Sequence, residues 1–174
     1  QEAAKYYQLF INQGFKDHRV FINCAIIQMS RGKYKEAETL ARQAIALKPN
    51  LVEGHFNLGC ILTNLSKFKE AELSTRKAIE LNPNYIIAHI NLGEILILQG
   101  KLREGKRSLL KAIELNPEYG KSYLHLSRFY SREKEYKEAF KAISSAIKYD
   151  EGNHIVVGEF TRLKRILNSS ANTS

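Results

Sequence analysis

The sequence of 174 residues contains no tryptophan, one methionine, two cysteines and three prolines. The two cysteines, Cys24 and Cys60, are too few for a disulfide framework and belong to no metal-ligand cluster. This favours a reducing, cytoplasmic setting. No apolar run approaches the ~20 residues that cross a bilayer, and the opening residues lack the apolar stretch of a signal peptide. We therefore expect no bound metal, no cofactor and no membrane span.

The elements of a catalytic site are also missing. There is no glycine-rich phosphate loop, no close pair of carboxylates on a rigid element, and no cysteine with a recognisable histidine and acid beside it. The net charge of +9 would suit acidic partners or nucleic acid. However, lysine and arginine mostly alternate with glutamate, as at Lys33 and Glu36, which is typical of a solvated helical face and disfavours nucleic acid. The sequence predicts a binding protein that is not an enzyme.

The three prolines define a repeat, because Pro49, Pro83 and Pro117 are each 34 residues apart. Each follows a similar segment: AIALK, AIELN and AIELN. Two further segments recur at the same period, Asn-Leu-Gly beginning at Asn57 and Asn91, and Lys-x-x-Glu-Ala. A sustained 34-residue period is a specific signal of a helical repeat array.

These segments resemble the tetratricopeptide repeat, a 34-residue family pattern of a large residue, Leu-Gly, a small residue, alanine and proline. The resemblance covers nearly the whole chain and divides it into units 18–51, 52–85, 86–119 and 120–153. The sequence departs from the pattern at several places. The large first position holds no tryptophan but instead Phe21, His55, His89 and Tyr123, Gly105 replaces an alanine, and Glu151 replaces the last proline.

The apolar pattern predicts the same architecture. Each unit contains two apolar stripes with helical spacing, interrupted near Gly32, Ser66, Gly100 and Lys134. Proline ends the second helix of a unit, and a single helix pair cannot bury its apolar face without a neighbour. We therefore expect an all-α fold, a right-handed α-solenoid of stacked antiparallel helix pairs.

The two ends differ from the repeats. Residues 1–17 are in phase with a second helix, which predicts a truncated preceding repeat in a fragment of a longer protein; a natural half-repeat cap is the alternative. An open apolar face there, with Tyr7, Phe10 and Ile11, would allow homo-oligomers. Residues 154–167 predict a capping helix and 168–174 a polar tail. The packed side of that helix is expected to hold Val156, Val157, Phe160, Leu163 and Leu167.

The resemblance places a peptide-binding groove on the first helix of each unit. At the sixth position of the units, the groove would present Asn23, Asn57, Asn91 and His125. At the fifth position, apolar contacts would come from Ile22, Phe56, Ile90 and Leu124. An amide both donates and accepts, so stacked asparagines can bind both backbone groups of an extended peptide. Such a ladder is similar to the one in O-linked N-acetylglucosamine transferase. Alternatively, each asparagine bonds a neighbouring helix.

The last unit adds a basic stripe at one end of the groove. Lys121, His125, Arg128 and Arg132 follow the spacing of one helical face. They are predicted to bind acidic side chains or a C-terminal carboxylate, although charge runs are often only a solvated face. The carboxylate clamp of chaperone-binding members is incomplete, since only Asn91 and Lys121 match it.

Three functions remain open from the sequence. The leading prediction is a scaffold that binds an extended peptide or protein segment in the groove. The second is a targeting or substrate-presenting region of a larger enzyme, such as a glycosyltransferase or sulfotransferase. The third is a self-association module.

Overall fold

The structure is a computed structural model that describes residue 14 and residues 16–171. These residues form nine α-helices and no strand. In chain order the helices are α1 (His18–Ser30), α2 (Tyr34–Leu47), α3 (Val52–Asn64), α4 (Phe68–Leu81), α5 (Ile86–Leu98), α6 (Leu102–Leu115), α7 (Gly120–Arg132), α8 (Tyr136–Tyr149) and α9 (His154–Ala171). The predicted all-α class is confirmed for this part of the chain.

Each predicted 34-residue repeat contains one helix pair. The first helix of a pair has 13 residues and the second has 14. The chain divides into two compact units, unit 1 up to Ile95 and unit 2 from Leu96, so α5 crosses the boundary between them.

The turn within each pair is built from one residue with a left-handed backbone. Its φ is 74° at Gly32, 59° at Ser66, 79° at Gly100 and 62° at Lys134. The amide of the next residue bonds a carbonyl five residues back, as from Lys67 to Leu62 at 2.9 Å. This 6→1 bond is the Schellman ending of a helix, which favours glycine because other residues resist positive φ. The four predicted turn positions are confirmed.

Small residues lie where neighbouring helices approach most closely. The structure fully buries Ala37, Ala44, Ala71, Ala78, Ala112, Ala139 and Ala146. In α3, a Cβ on Gly59 would collide with the hydroxyl of Thr75 in α4. The close approach therefore depends on side-chain size at fixed repeat positions.

Each of the two units contains a cluster of buried apolar residues. In unit 1, Leu58, Ile61 and Leu62 of α3 pack with Phe21 and Ile95. In unit 2, α9 covers the last helix pair, with Val156 and Leu163 fully buried against Leu124 and Ile143.

The capping helix differs from its prediction in two respects. It continues to Ala171, so residues 168–171 are helical although they were predicted to belong to a polar tail. Val157 is 43% exposed, so its expected packing is wrong. The reason is geometric, since consecutive helical residues are ~100° apart and Val156 already faces the core. The predicted helix over residues 1–12, with Tyr7, Phe10 and Ile11, and the end of the tail lie outside the described residues.

Candidate functional site

Unit 1 carries the asparagine series on the first helix of successive pairs. Asn23 lies on α1, Asn57 on α3 and Asn91 on α5, and all three are partly exposed. Together with Phe56 they are called the asparagine face below. Each occupies the same place in its helix, as the 34-residue spacing predicts.

The three asparagines do not have the same surroundings. The Asn91 amide donates from Nδ2 to Oγ1 of Thr75, at 3.1 Å, and Thr75 is fully buried in α4. This bond ties α5 to the preceding helix pair, so the alternative structural role holds for Asn91.

Asn57 makes no such bond. Thirty-four residues before Thr75 the chain has Ala41, which offers no hydroxyl. Among the described residues, the Asn57 amide has no hydrogen-bond partner, and it is partly exposed. An amide in this condition keeps its donor and its acceptor available for a ligand.

The apolar members of the predicted groove are mostly core residues. Ile22, Ile90 and Leu124 are buried, at 8%, 6% and 4% exposure, so they offer almost no surface to a ligand. Phe56 is the exception, being half-buried with its ring edge-on to Tyr85 at a centroid distance of 5.2 Å. Phe56, which precedes Asn57 in the chain, is therefore the predicted apolar contact that keeps an accessible surface, and Tyr85 packs against it.

Both cysteine thiols are kept protonated. Burial, and secondarily the charge of Glu94, raises the pKa of Cys60 to about 12, and burial also raises the pKa of Cys24. Since the thiolate is the reactive form, neither side chain has the environment of a nucleophile.

The histidines at the large-residue position cap backbone carbonyls. Nε2 of His55 lies 2.7 Å from the carbonyl oxygen of Pro49, and Nε2 of His89 lies 2.8 Å from that of Pro83. In unit 2, Tyr123 fills this position and its ring stacks on Tyr149. Throughout the described ranges no three candidate metal ligands lie together, and none of the helices there is both long and apolar enough to cross a membrane.

Unit 2 carries the basic residues on α7. Lys121, Arg128 and Arg132 are at least partly exposed and His125 is half-buried. These four residues are called the basic face below. Its cationic groups are accessible to an acidic ligand from solvent.

The sequence prediction missed the contribution of the capping helix. Arg162 of α9 donates from Nη2 to Oγ of Ser131 in α7, at 3.1 Å, and pairs with Glu159 at 2.6 Å. The hydrogen bonds from Arg162, with a weaker contribution from the charge of Arg128, hold the pKa of Glu159 below its usual range. The repeat period was the available signal, because Arg162 follows Arg128 by 34 residues.

Four family models described as tetratricopeptide repeat match the chain, at residues 20–53, 52–85, 75–107 and 120–153. Together they cover more than two thirds of the sequence. No curated protein matches the chain significantly.

Several solved structures share this fold at low sequence identity. The protein TTC0263 of Thermus thermophilus superposes with a TM-score of 0.83 at 16% identity, covering 92% of this chain and 88% of that one. MamA of Desulfovibrio magneticus RS-1 gives a TM-score of 0.76 at 22% identity, over 88% of this chain and 86% of that one. The pilF protein of Pseudomonas aeruginosa gives 0.77 at 20% identity, over 87% and 69% of the two chains.

Proposed function

The chain belongs to the tetratricopeptide-repeat family of protein-interaction scaffolds, and we propose that it binds an extended segment of a partner protein on its asparagine face. The observation that carries this proposal is Asn57, whose partly exposed amide has no partner among the described residues. Phe56, the preceding residue in the chain, packs on Tyr85, and these two rings would contact an apolar side chain of the ligand.

An extended peptide exposes backbone N–H and C=O groups on alternate sides, and one asparagine amide can bind one of each. Such a contact does not depend on the side chain of the bound residue. In this proposal Asn57 acts as the asparagines of O-linked N-acetylglucosamine transferase do, whereas Asn91 mainly stabilises the array.

For unit 2 taken by itself, we propose that the basic face binds acidic segments. Lys121, Arg128 and Arg132 are solvent-accessible cations, and guanidinium groups bind carboxylates with charge-assisted hydrogen bonds. Free thiols at Cys24 and Cys60 suit binding in the reducing cytoplasm.

A peptide that binds the wild-type chain is first selected from a random library. Its affinity is then measured for the wild-type chain, Asn57→Ala and Asn91→Ala, together with the melting of each protein. Asn57→Ala should weaken binding about fivefold to tenfold, the loss of one or two hydrogen bonds, with unchanged melting. Asn91→Ala should lower the free energy of unfolding by about 1 kcal/mol, because it breaks the bond to Thr75.

A second arm tests whether the backbone is bound. N-methylation of the contacted peptide amide should reproduce the loss seen with Asn57→Ala, while alanine at the same peptide residue should not. Unchanged affinity in Asn57→Ala would exclude the proposal for this face.

A further inference from the structure

The capping helix α9 carries Arg162, whose side-chain orientation is fixed by hydrogen bonds to Glu159 and Ser131. The guanidinium of Arg162 donates from Nε to Glu159 Oε2 at 2.9 Å and from Nη2 to Glu159 Oε1 at 2.6 Å. Nη2 also donates to Ser131 Oγ at 3.1 Å. A planar guanidinium with three hydrogen bonds from Nε and Nη2 has little rotational freedom left.

The Nη1 atom of the Arg162 guanidinium remains available for a ligand. Nη1 carries two N–H donors, and it makes no hydrogen bond to any residue in the described part of the chain. The Arg162 side chain is 49% exposed, while that of Glu159 is only 15% exposed. The carboxylate therefore lies beneath the arginine, and the arginine faces solvent.

The backbone under Arg162 is also well anchored. Leu163, its neighbour on α9, is fully buried together with Val156, and the ring of Phe160 packs on Phe140 with centroids 5.0 Å apart. A side chain on a packed helix, held by a second layer of hydrogen bonds, is preorganised for a ligand.

The charges around Arg162 favour an anion. Ser131, which accepts a hydrogen bond from Arg162, lies three residues after Arg128 on α7, and the charge of Arg128 makes a small contribution to the lowered pKa of Glu159. The basic face and Arg162 together supply three arginines and one lysine, and Glu159 neutralises one of these four charges.

We propose that Arg162, oriented by Glu159 and Ser131, binds a carboxylate side chain of an acidic segment, so that the capping helix forms part of the basic face of unit 2. This inference rests on the proposed acidic preference of that face. It assigns a binding role to Arg162 and a positioning role to Glu159 and Ser131.

The test uses the full chain and two labelled probes, a hexapeptide of alternating serine and glutamate and its counterpart with glutamine in place of glutamate. Fluorescence anisotropy gives their affinities. Arg162→Gln should weaken binding of the glutamate probe about fivefold to tenfold, the loss of one charge-assisted contact. Arg162→Lys should recover part of this loss, since it keeps the charge without the fork.

The matched control is Lys164→Gln, which removes one charge from the same helix two residues away, on an exposed site ~200° around the helix axis. It should weaken binding by less than twofold. A loss equal to that of Arg162→Gln would mean that only net charge matters, and would overturn the proposal.

A double-mutant cycle distinguishes the loss of a direct contact from a structural effect of Arg162→Gln. Probes with a single glutamate replaced by glutamine should lose affinity on the wild-type chain at one position in particular. That loss should disappear in Arg162→Gln. Equal losses on both proteins at every position would exclude a direct contact, whereas a wild-type chain that does not distinguish the two probes would exclude the acidic preference itself.

Discussion

Helices α3 in unit 1 and α7 in unit 2 occupy the same place in their repeats but differ on both sides. On the side predicted to line the groove, Asn57 in α3 corresponds to His125 in α7, and the partly buried Cys60 corresponds to the exposed Arg128. The α3 surface bears uncharged side chains at these two positions with Glu94 close to Cys60, and the α7 surface is cationic. The same backbone thus presents two chemically different surfaces through the choice of a few residues.

The buried sides of the two helices differ as well. Gly54 and Gly59 of α3 are replaced in α7 by Ser122 and Ser127, all of them buried. Ser127 donates to the carbonyl of Ala139 at 2.9 Å, while Oγ of Ser122 finds no partner in the described chain. Equivalent positions therefore use glycine for close approach in one unit and hydroxyls in the other.

The largest effect is expected for Gly59→Ala, which tests whether α3 needs a glycine for its close approach to α4. A Cβ at residue 59 would collide with Oγ1 of Thr75, which is fully buried and bonded to Asn91. Overpacking by about 2–3 kcal/mol should exceed the gain of about 1 kcal/mol from replacing glycine in a helix. Urea unfolding should show a net destabilisation of about 1–2 kcal/mol.

Thr75→Ala provides the control for that collision. If the hydroxyl is the obstacle, the double variant should be more stable than the sum of the single changes predicts, because the methyl group introduced by Gly59→Ala then has room. Simple additivity would show that the glycine is needed for another reason.

A smaller effect separates the two serines of α7. Ser127→Ala should cost about 1–1.5 kcal/mol, because a buried hydrogen bond to Ala139 is lost. Ser122→Ala should be neutral or stabilise by up to about 1 kcal/mol, because it removes a buried hydroxyl that lacks a partner. Chemical denaturation of both variants tests this; equal losses would contradict the distinction.

Much of the fold follows from the repeat period. The period fixes the helix pairs, the four turn positions and the small residues at close contacts, since each repeat buries the same side chains against its neighbour. Val157 was predicted wrongly because, ~100° around the helix from Val156, it cannot face the same core. The end of α9 was predicted wrongly because no further proline or repeat marks that boundary and local polarity suggested a tail.

The candidate site was less predictable. The repeat period predicts the same role for Asn57 and Asn91. The two differ in the residue at the equivalent position of the preceding helix pair, which is Ala41 for Asn57 and Thr75 for Asn91. Similarly, the sequence pattern predicted no role for Arg162, because it lies outside the apolar stripe of α9. Its bond to Ser131 depends on how the capping helix packs on α7, which the sequence pattern does not specify.

The turn within each helix pair allows the two units to be compared at a position that makes no core contact. Ser66 in unit 1 and Lys134 in unit 2 have positive φ, where glycine stands in the other two pairs. Ser66→Gly and Lys134→Gly should each stabilise the chain by up to about 1 kcal/mol by relieving backbone strain. Gly32→Ala is the matched opposite and should cost about 1 kcal/mol, although its Cβ would meet no atom within 4 Å. Thermal melting of all three variants would show whether strain or packing governs these turns.

The smallest expected effect concerns acid stability, which one ion-paired glutamate in each unit should influence. Hydrogen bonds from Arg162 lower the pKa of Glu159; for Glu38 in unit 1, burial raises the pKa, but the bonds from Lys67 and Arg42 outweigh it. A lowered folded pKa contributes stability above the unfolded value of about 4.3, which is lost as the pH falls through the folded pKa.

We therefore expect urea midpoints of the wild-type chain to decline below about pH 4.3, and Glu159→Gln or Glu38→Gln to flatten part of that decline. Because the two carboxylates lie in separate units and share no partner, their effects should add. A decline that neither substitution alters would show that other carboxylates govern the acid response.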